Sequence, residues 1–65
     1  MKIYNGWVIK YSNNEYKVVG KQTIRKSTAI ILKNLCDGKL EGMNREVFVK
    51  MFNEGDIEYI RSEAV

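Results

Sequence analysis

A single cysteine, Cys36, in a chain of 65 residues without histidine limits the ways in which this protein can be stabilised. One cysteine cannot form an internal disulfide, and without histidine the usual zinc ligand sets are missing. A chain of this length buries only about 60% of the surface that its unfolded form exposes. We therefore expect one small domain over residues 1–65 that is stabilised by packing, with no cofactor and no metal ion. Self-association is a further way to stabilise so small a core.

Two features of the sequence bear on the location of the protein. The longest uninterrupted aliphatic run, from Ala29 to Leu32, is far too short to span a bilayer. The first residues, MKIYNGWVIK, contain neither the sustained apolar segment nor the small-residue cleavage site of a secretory signal. These features predict a soluble, cytoplasmic protein with no membrane partner.

Apolar and polar residues alternate through the first twenty positions, which indicates β-strands. The segment SNNE can form a hairpin turn at Asn13-Asn14, because asparagine tolerates positive φ angles. This register places Tyr11 opposite Tyr16 and Lys10 opposite Lys17. A hairpin of two strands is therefore predicted at the start of the domain.

One face of this hairpin carries no charge and is the natural side for the core. Its members are Trp7, Ile9, Tyr11, Tyr16 and Val18. We expect Trp7, Ile9 and Val18 to be buried, because short chains depend on aromatic and aliphatic burial. Tyr11 and Tyr16 lie nearest the turn, so we expect them to project beyond the core and to contact a partner.

The middle of the chain leaves two structures open. Residues 21–24 can continue the second strand, and Arg25-Lys26-Ser27 can form a turn. The segment TAIILKNL then fits a strand that is buried on both faces, which the β-branched residues favour. Helical spacing of its apolar residues, with Ser27 as an N-cap, allows the alternative of an α+β protein with a helix over residues 27–36.

The second half contains a hairpin signal and one clear helix. Asp37-Gly38 is a strong two-residue turn that would pair Leu35 with Leu40 and start a short strand ending at Met43. The segment NREVFVKMFNEG predicts a helix that begins at the N-cap Asn44 and ends at Gly55. Its apolar stripe consists of Val47, Phe48, Met51 and Phe52. Alternation in DIEYIR predicts a last strand, and residues 62–65 are expected to be a frayed tail.

These elements predict a mainly β fold, a small five-stranded antiparallel barrel with one short helix before the last strand. The order of elements resembles the small SH3-like barrel proteins of phage and prophage type, in which an aliphatic strand and turn precede a segment similar to REVFVKMF. The resemblance covers most of the chain as a pattern. It implies the SH3-like fold and an origin in a mobile genetic element, and it carries no functional residues over to this chain.

No catalytic constellation is visible in the sequence. The commonest general base, histidine, is missing. Asp56 and Glu58 stand two apart and would point to one side of the last strand, as a catalytic carboxylate pair could. Alternating charged residues on a solvent-exposed strand explain this spacing better. Cys36 is interpreted as a small, partly buried residue before a turn. We expect the protein not to be an enzyme.

The basic residues are concentrated in the first half of the chain. Residues 1–33 contain seven Lys or Arg and one Glu, a net charge of +6, whereas residues 34–65 have a net charge of −3. Lys21, Arg25 and Lys26 lie near hydroxyl side chains and are suited to contact phosphates. Lys10 opposite Lys17 is unfavourable unless an acidic group lies nearby, either nucleic acid or Glu58 from an adjacent last strand.

The leading hypothesis from the sequence is a non-catalytic binding module, an accessory protein of phage type that docks to a host protein. Its candidate contact residues are Tyr11, Tyr16 and the loop from Lys21 to Lys26, which includes Arg25, whereas Lys10 and Lys17 are candidates for binding nucleic acid. One alternative is a nucleic-acid-binding protein that uses the basic region of residues 10–26. Another is a structural homo-oligomer joined through sheet edges or through Met43 and Met51.

Overall fold

The computed structural model describes residues 1–64 and contains five β-strands and one α-helix. The elements are β1 (Trp7–Tyr11), β2 (Asn14–Ile24), β3 (Ser27–Asn34), β4 (Leu40–Asn44), α1 (Arg45–Glu54) and β5 (Ile57–Ser62). All strands are antiparallel to their neighbours in one sheet of order β4-β3-β2-β1-β5. The predicted mainly β architecture is confirmed, with the short helix before the last strand. The alternative of a helix over residues 27–36 is wrong, because most of this segment is β3.

The sheet has two edges, β4 and β5, and among the described residues these strands do not pair with each other. Helix α1 connects them along the chain and packs against β3, β4 and β5. Two bulges interrupt the ladders, one in β2 between Val18 and Gly20 and one between Val8 and Ile9 where β1 meets β5. Because bulges bend a strand and increase its twist, they curl the sheet around its inner face. The result is a barrel-like sheet that stays open.

The first hairpin turns one residue earlier than predicted. Ser12 and Asn13 have φ angles of 51° and 65°, as a two-residue hairpin turn requires, so Asn13-Asn14 is not the turn. Ile9 therefore lies opposite Tyr16, and Lys10 lies opposite Glu15. The pairing differs from the predicted one by two residues, which leaves every side chain on its predicted face. This register replaces the unfavourable pairing of two lysines by a pairing of opposite charges.

The loop between β3 and β4 also differs from the prediction. Asn34 accepts a hydrogen bond from the backbone N–H of Cys36 at 2.8 Å, and its own N–H donates to the Lys39 carbonyl at 2.8 Å. Lys33 pairs with Leu40, so the predicted pairing of Leu35 with Leu40 is wrong. The asparagine side chain starts the turn before Leu35 and makes the loop longer than two residues.

Both ends of α1 form as the sequence predicts. The Asn44 side chain accepts hydrogen bonds from the backbone N–H groups of Glu46 at 2.8 Å and Val47 at 3.4 Å. Gly55 ends the helix at φ 86°, a conformation that favours glycine. No helix within residues 1–64 is long and apolar enough to cross a membrane.

The core lies between the inner face of the sheet and α1. Its buried members are Ile3, Ile9, Tyr16, Val18, Ile30, Leu32, Phe48 and Ile57. The predicted burial of Ile9 and Val18 is confirmed, whereas Trp7 is half-buried and packs at the border of this cluster. Val8 is also fully buried, although it lies outside this cluster.

The end of the chain is more ordered than predicted. Ser62 is the last residue of β5, and the Glu63 N–H donates to the Gly6 carbonyl at 2.7 Å. The Lys17 ammonium donates to the Ala64 carbonyl at 2.6 Å. The expectation of a frayed tail is therefore wrong for residues 62–64, and position 65 lies outside the described residues.

Candidate binding surfaces

Three aromatic side chains meet around Trp7. The Trp7 ring centroid lies 5.2 Å from that of Tyr59, 6.1 Å from that of Tyr4 and 6.2 Å from that of Phe52. The contact with Tyr59 is edge-to-face, a favourable geometry for two aromatic rings. We call Tyr4, Trp7, Phe52 and Tyr59 the aromatic surface.

The backbone around Gly6 positions Trp7 in this group. Gly6 has a φ of 97°, and its N–H donates to the Val18 carbonyl at 2.7 Å. The Gly6 carbonyl accepts from the N–H of Glu63, so Gly6 is held by β2 on one side and by the residue that follows β5 on the other. The Trp7 N–H donates to the Tyr4 carbonyl at 3.3 Å, which closes a turn and brings the two side chains together.

The aromatic surface faces solvent on one side and the core on the other. The exposed fractions of Tyr4 and Tyr59 are 55% and 46%, while Trp7 and Phe52 are half-buried. Phe52 stacks on the buried Phe48 at a centroid distance of 6.4 Å, which links the surface to the core. The Tyr59 hydroxyl is hydrogen-bonded to the Ser62 hydroxyl at 2.8 Å. The outer two rings thus lie on a support that packing keeps in place.

Sequence reasoning identified Trp7 and Phe52 as core residues and did not single out Tyr4 or Tyr59. Tyr59 has the same parity as the buried Ile57 in β5, so the alternation of the last strand contained a signal for its position. Tyr4 lies before β1 in irregular chain, where no periodicity indicates a direction. Only the turn at Gly6 brings it to Trp7.

The structure places the two predicted contact tyrosines differently. Tyr16 is only 6% exposed, so its predicted projection beyond the core is wrong. The register brings it opposite Ile9 in the core, and burial, together with the nearby Glu41 carboxylate, raises the pKa of its hydroxyl. Tyr11 is half-buried, with its ring centroid 6.2 Å from that of Tyr16. Neither is part of the aromatic surface.

Two of the predicted basic contact residues have acidic neighbours. Lys10 lies between Glu15 on β2 and Glu58 on β5, which confirms the predicted neighbour Glu58. The Lys17 ammonium lies 3.9 Å from the Glu63 carboxylate, and its side chain is half-buried. On β1, Lys17 pairs with Val8 instead of Lys10, and on β3 it pairs with Lys33. Internal charges therefore account for the positions of Lys10 and Lys17.

Arg61 joins Lys17 and two acidic residues into an ionic cluster on the outer face of the sheet. Arg61 Nε donates to the Glu63 carboxylate at 2.6 Å, and its Nη1 lies 3.5 Å from the Glu15 carboxylate. The hydrogen bond from Arg61, together with the positive charges of Arg61 and Lys17, lowers the pKa of the Glu63 carboxyl. These contacts join the end of the chain to β2 and β5.

The other three basic candidates lie on the hairpin between β2 and β3. Lys21, Arg25 and Lys26 are exposed, and none has a carboxylate within 4.0 Å in the part of the chain that the structure describes. Arg25 has a φ of 58° in the turn. The seven predicted contact residues thus do not form one surface: Tyr16 is buried, Lys17 forms an ion pair with Glu63, and Lys10 lies on β1 between Glu15 and Glu58.

The remaining sequence candidates have simpler surroundings. Asp56 and Glu58 line one open groove of about 310 Å³ together with Lys10. Cys36 is exposed in the β3–β4 loop, so the expectation of partial burial is wrong. Met43 and Met51 are both half-buried against the core. Of the two predicted contact regions for self-association, the sheet edges are the more exposed.

Comparison with known proteins adds no relative. No protein-family model matches this chain, and no curated protein or solved structure is significantly similar to it.

Proposed function

We propose that this chain is a non-catalytic binding module that docks to a protein partner through the aromatic surface. The observation that supports this function is the exposure of Tyr4 and Tyr59 on either side of the half-buried Trp7. Tryptophan and tyrosine are enriched among the residues that dominate binding energy in protein interfaces. They bury a large area and lose little conformational freedom when they bind.

The aromatic side chains are held in place by packing, which favours a binding function over exposed apolar residues that have no partner. Trp7 is fixed by the Gly6 backbone, and Phe52 by its stacking on Phe48, so the surface is largely formed before a partner arrives. A preformed site avoids much of the ordering cost of association. Lys21 and Asn5 line a broad depression of about 590 Å³ beside Tyr4, which supplies polar groups at the rim.

The resemblance to SH3-like proteins of phage and prophage type extends this proposal to an accessory protein that acts on a host protein in the cytoplasm. The strand order and the helix before β5 agree with the pattern on which the resemblance is based. A chain with so small a core has little interior volume for a catalytic pocket, so binding a host protein at the surface is the function we propose.

The test begins with affinity capture from host lysate after nuclease treatment and continues with a purified candidate partner. Binding is measured by calorimetry for the wild type and for Tyr4→Ala and Tyr59→Ala. We expect each substitution to weaken binding about tenfold or more, since truncation of a central aromatic residue costs about 2 kcal/mol.

The control is Leu40→Ala, because Leu40 is a large apolar residue with an exposed fraction of 65% on the edge strand β4. This variant should bind as the wild type does. Equal affinities for the wild type and both tyrosine variants would contradict the proposal, and so would a loss of binding in the Leu40 variant alone.

A further inference from the structure

The hairpin between β2 and β3 extends beyond the rest of the sheet as a two-stranded ribbon, which we define as residues 23–28, with Lys21 at its base. Thr23 pairs with Thr28 and Ile24 pairs with Ser27, whereas the pairing of β4 with β3 stops at Ala29. On the other side, β1 pairs with β2 only as far as Lys17. At about 3.4 Å per residue, the last two pairs reach about 7 Å beyond the three-stranded part, before the turn at Arg25-Lys26.

The ribbon is basic along its whole length. Lys21 lies at its base and Arg25 and Lys26 at its tip, and all three side chains are exposed. Between Tyr16 and Cys36 the sequence contains no Asp or Glu. Lys17 and Arg61 have carboxylates within 4.0 Å, whereas Lys21, Arg25 and Lys26 have none among the described residues, as is also true of the other basic side chains.

Hydroxyl groups accompany these charges. The Thr23 and Thr28 hydroxyls are 3.1 Å apart on one side of the ribbon, and Ser27 is exposed next to the turn. Hydroxyl, lysine and arginine side chains together make most side-chain contacts to nucleic-acid phosphates. Along the β3 side of the ribbon, a groove of about 260 Å³ runs from Lys26 to Arg45 at the start of α1, with Glu46 as its one acidic side chain.

The tip also exposes an apolar residue that lies outside the core. Ile24 has an exposed fraction of 62% and lies beside Arg25 in sequence. In the major groove of DNA, apolar side chains contact the methyl group of thymine. An exposed isoleucine that directly precedes the two cations Arg25 and Lys26 fits that use better than it fits a surface in water.

We infer that the ribbon is an arm that binds double-stranded DNA, with Lys21, Arg25 and Lys26 on the phosphates and Ile24 directed at the bases. The major groove of B-DNA is about 12 Å wide and admits a two-stranded ribbon. The ribbon and the aromatic surface meet only at Lys21, which lines the depression beside Tyr4, so this inference does not depend on the proposed protein partner. Because the contacts to phosphates carry no sequence information, the arm binds duplexes of any sequence.

The test is fluorescence anisotropy with a labelled 20-base-pair duplex, titrated with the full chain at 50 and 200 mM salt. Three phosphate contacts give a slope of log affinity against log salt of about −2.7, which is a loss of about 40-fold over this range. Arg25→Gln/Lys26→Gln should reduce the slope to about −0.9 and the loss to about 3- to 4-fold. Ile24→Ser should weaken binding without changing the slope.

The matched control is Lys33→Gln/Lys50→Gln, which changes the net charge equally at two exposed positions outside the ribbon. It should leave the slope near the wild-type value. Absence of duplex binding at 50 mM salt would overturn the inference, as would equal slopes for the ribbon and control variants. Tighter binding of a single-stranded 20-mer, or of polyglutamate as an acidic protein, would overturn the choice of duplex DNA.

Discussion

Phe48 and Phe52 lie one helical turn apart on α1. The stability costs of replacing each by alanine distinguish a residue of the core from a residue of the aromatic surface. Phe48 is fully buried, whereas Phe52 is half-buried and borders on Trp7. Truncation of a buried phenylalanine to alanine costs about 3–5 kcal/mol, from lost burial and from the cavity that remains. We expect Phe48→Ala to have a cost in this range, and Phe52→Ala to cost about half as much because part of its ring is already in water.

The cost for Phe48→Ala is comparable to the whole stability of the protein. At about 0.05–0.15 kcal/mol per residue, a chain of this size has a free energy of unfolding of about 3–10 kcal/mol. The urea dependence of this free energy should be about 1 kcal/mol per molar for so small a domain. Phe48→Ala should therefore lower the urea midpoint by about 3–5 M, and Phe52→Ala by about 2 M.

Urea titration followed by far-ultraviolet circular dichroism measures both values. A milder variant, Phe48→Leu, keeps the measurement possible if Phe48→Ala is largely unfolded in buffer, and it should cost about 1–2 kcal/mol. The reasoning is refuted if Phe52→Ala is at least as destabilising as Phe48→Ala, or if Phe48→Ala costs less than about 1 kcal/mol.

Three further predictions concern the turn, the helix cap and the ionic cluster. Asn13→Gly should stabilise the protein by about 0.5–1 kcal/mol in thermal denaturation, because the residue has a φ of 65°; a destabilised variant would argue against the turn at Ser12 and Asn13. Asn44→Ala should cost about 1 kcal/mol, since the Glu46 N–H loses its acceptor, and an unchanged melting temperature would show that the cap does not form. Arg61→Gln should raise the pKa of the Glu63 carboxyl, measured by NMR titration of its carboxyl carbon, and an unchanged pKa would exclude the hydrogen bond. Folding lowers this pKa from its ordinary value of 4.5, so the ion pair stabilises the wild type above about pH 4.5. This contribution is lost as the pH falls through the lowered pKa. Arg61→Gln should therefore reduce the difference in stability between pH 6 and pH 3.

Hydrophobic alternation and capping residues predicted the elements of this fold because they act locally. Asn44 and Gly55 mark the ends of α1, and the β-branched residues of β3 decide for a strand where helical spacing was also possible. The register of the first hairpin was not predictable in the same way. Ser12 and Asn13 compete with Asn13 and Asn14 for the turn, and the ladder resolves the competition through contacts with other strands.

The candidate surfaces were harder to predict because they depend on distant parts of the chain. Tyr16 is buried because β2 and β3 bring Leu32 and Asn34 beside it, and Lys17 is paired because the end of the chain returns to β2. Tyr4 and Tyr59 meet Trp7 from opposite ends of the sequence. By contrast, Lys21, Arg25 and Lys26 were predicted as one group because they lie on a single local hairpin.

The position of Trp7 between core and solvent is the claim on which the aromatic surface depends, and a nuclear Overhauser spectrum of the free protein tests it directly. We predict cross-peaks from the indole protons of Trp7 to the ring protons of Tyr4, Phe52 and Tyr59, whose centroids lie 5.2–6.2 Å away. An indole without cross-peaks to Tyr4 and Tyr59 would contradict the account, because the exposed rings would then not form one surface.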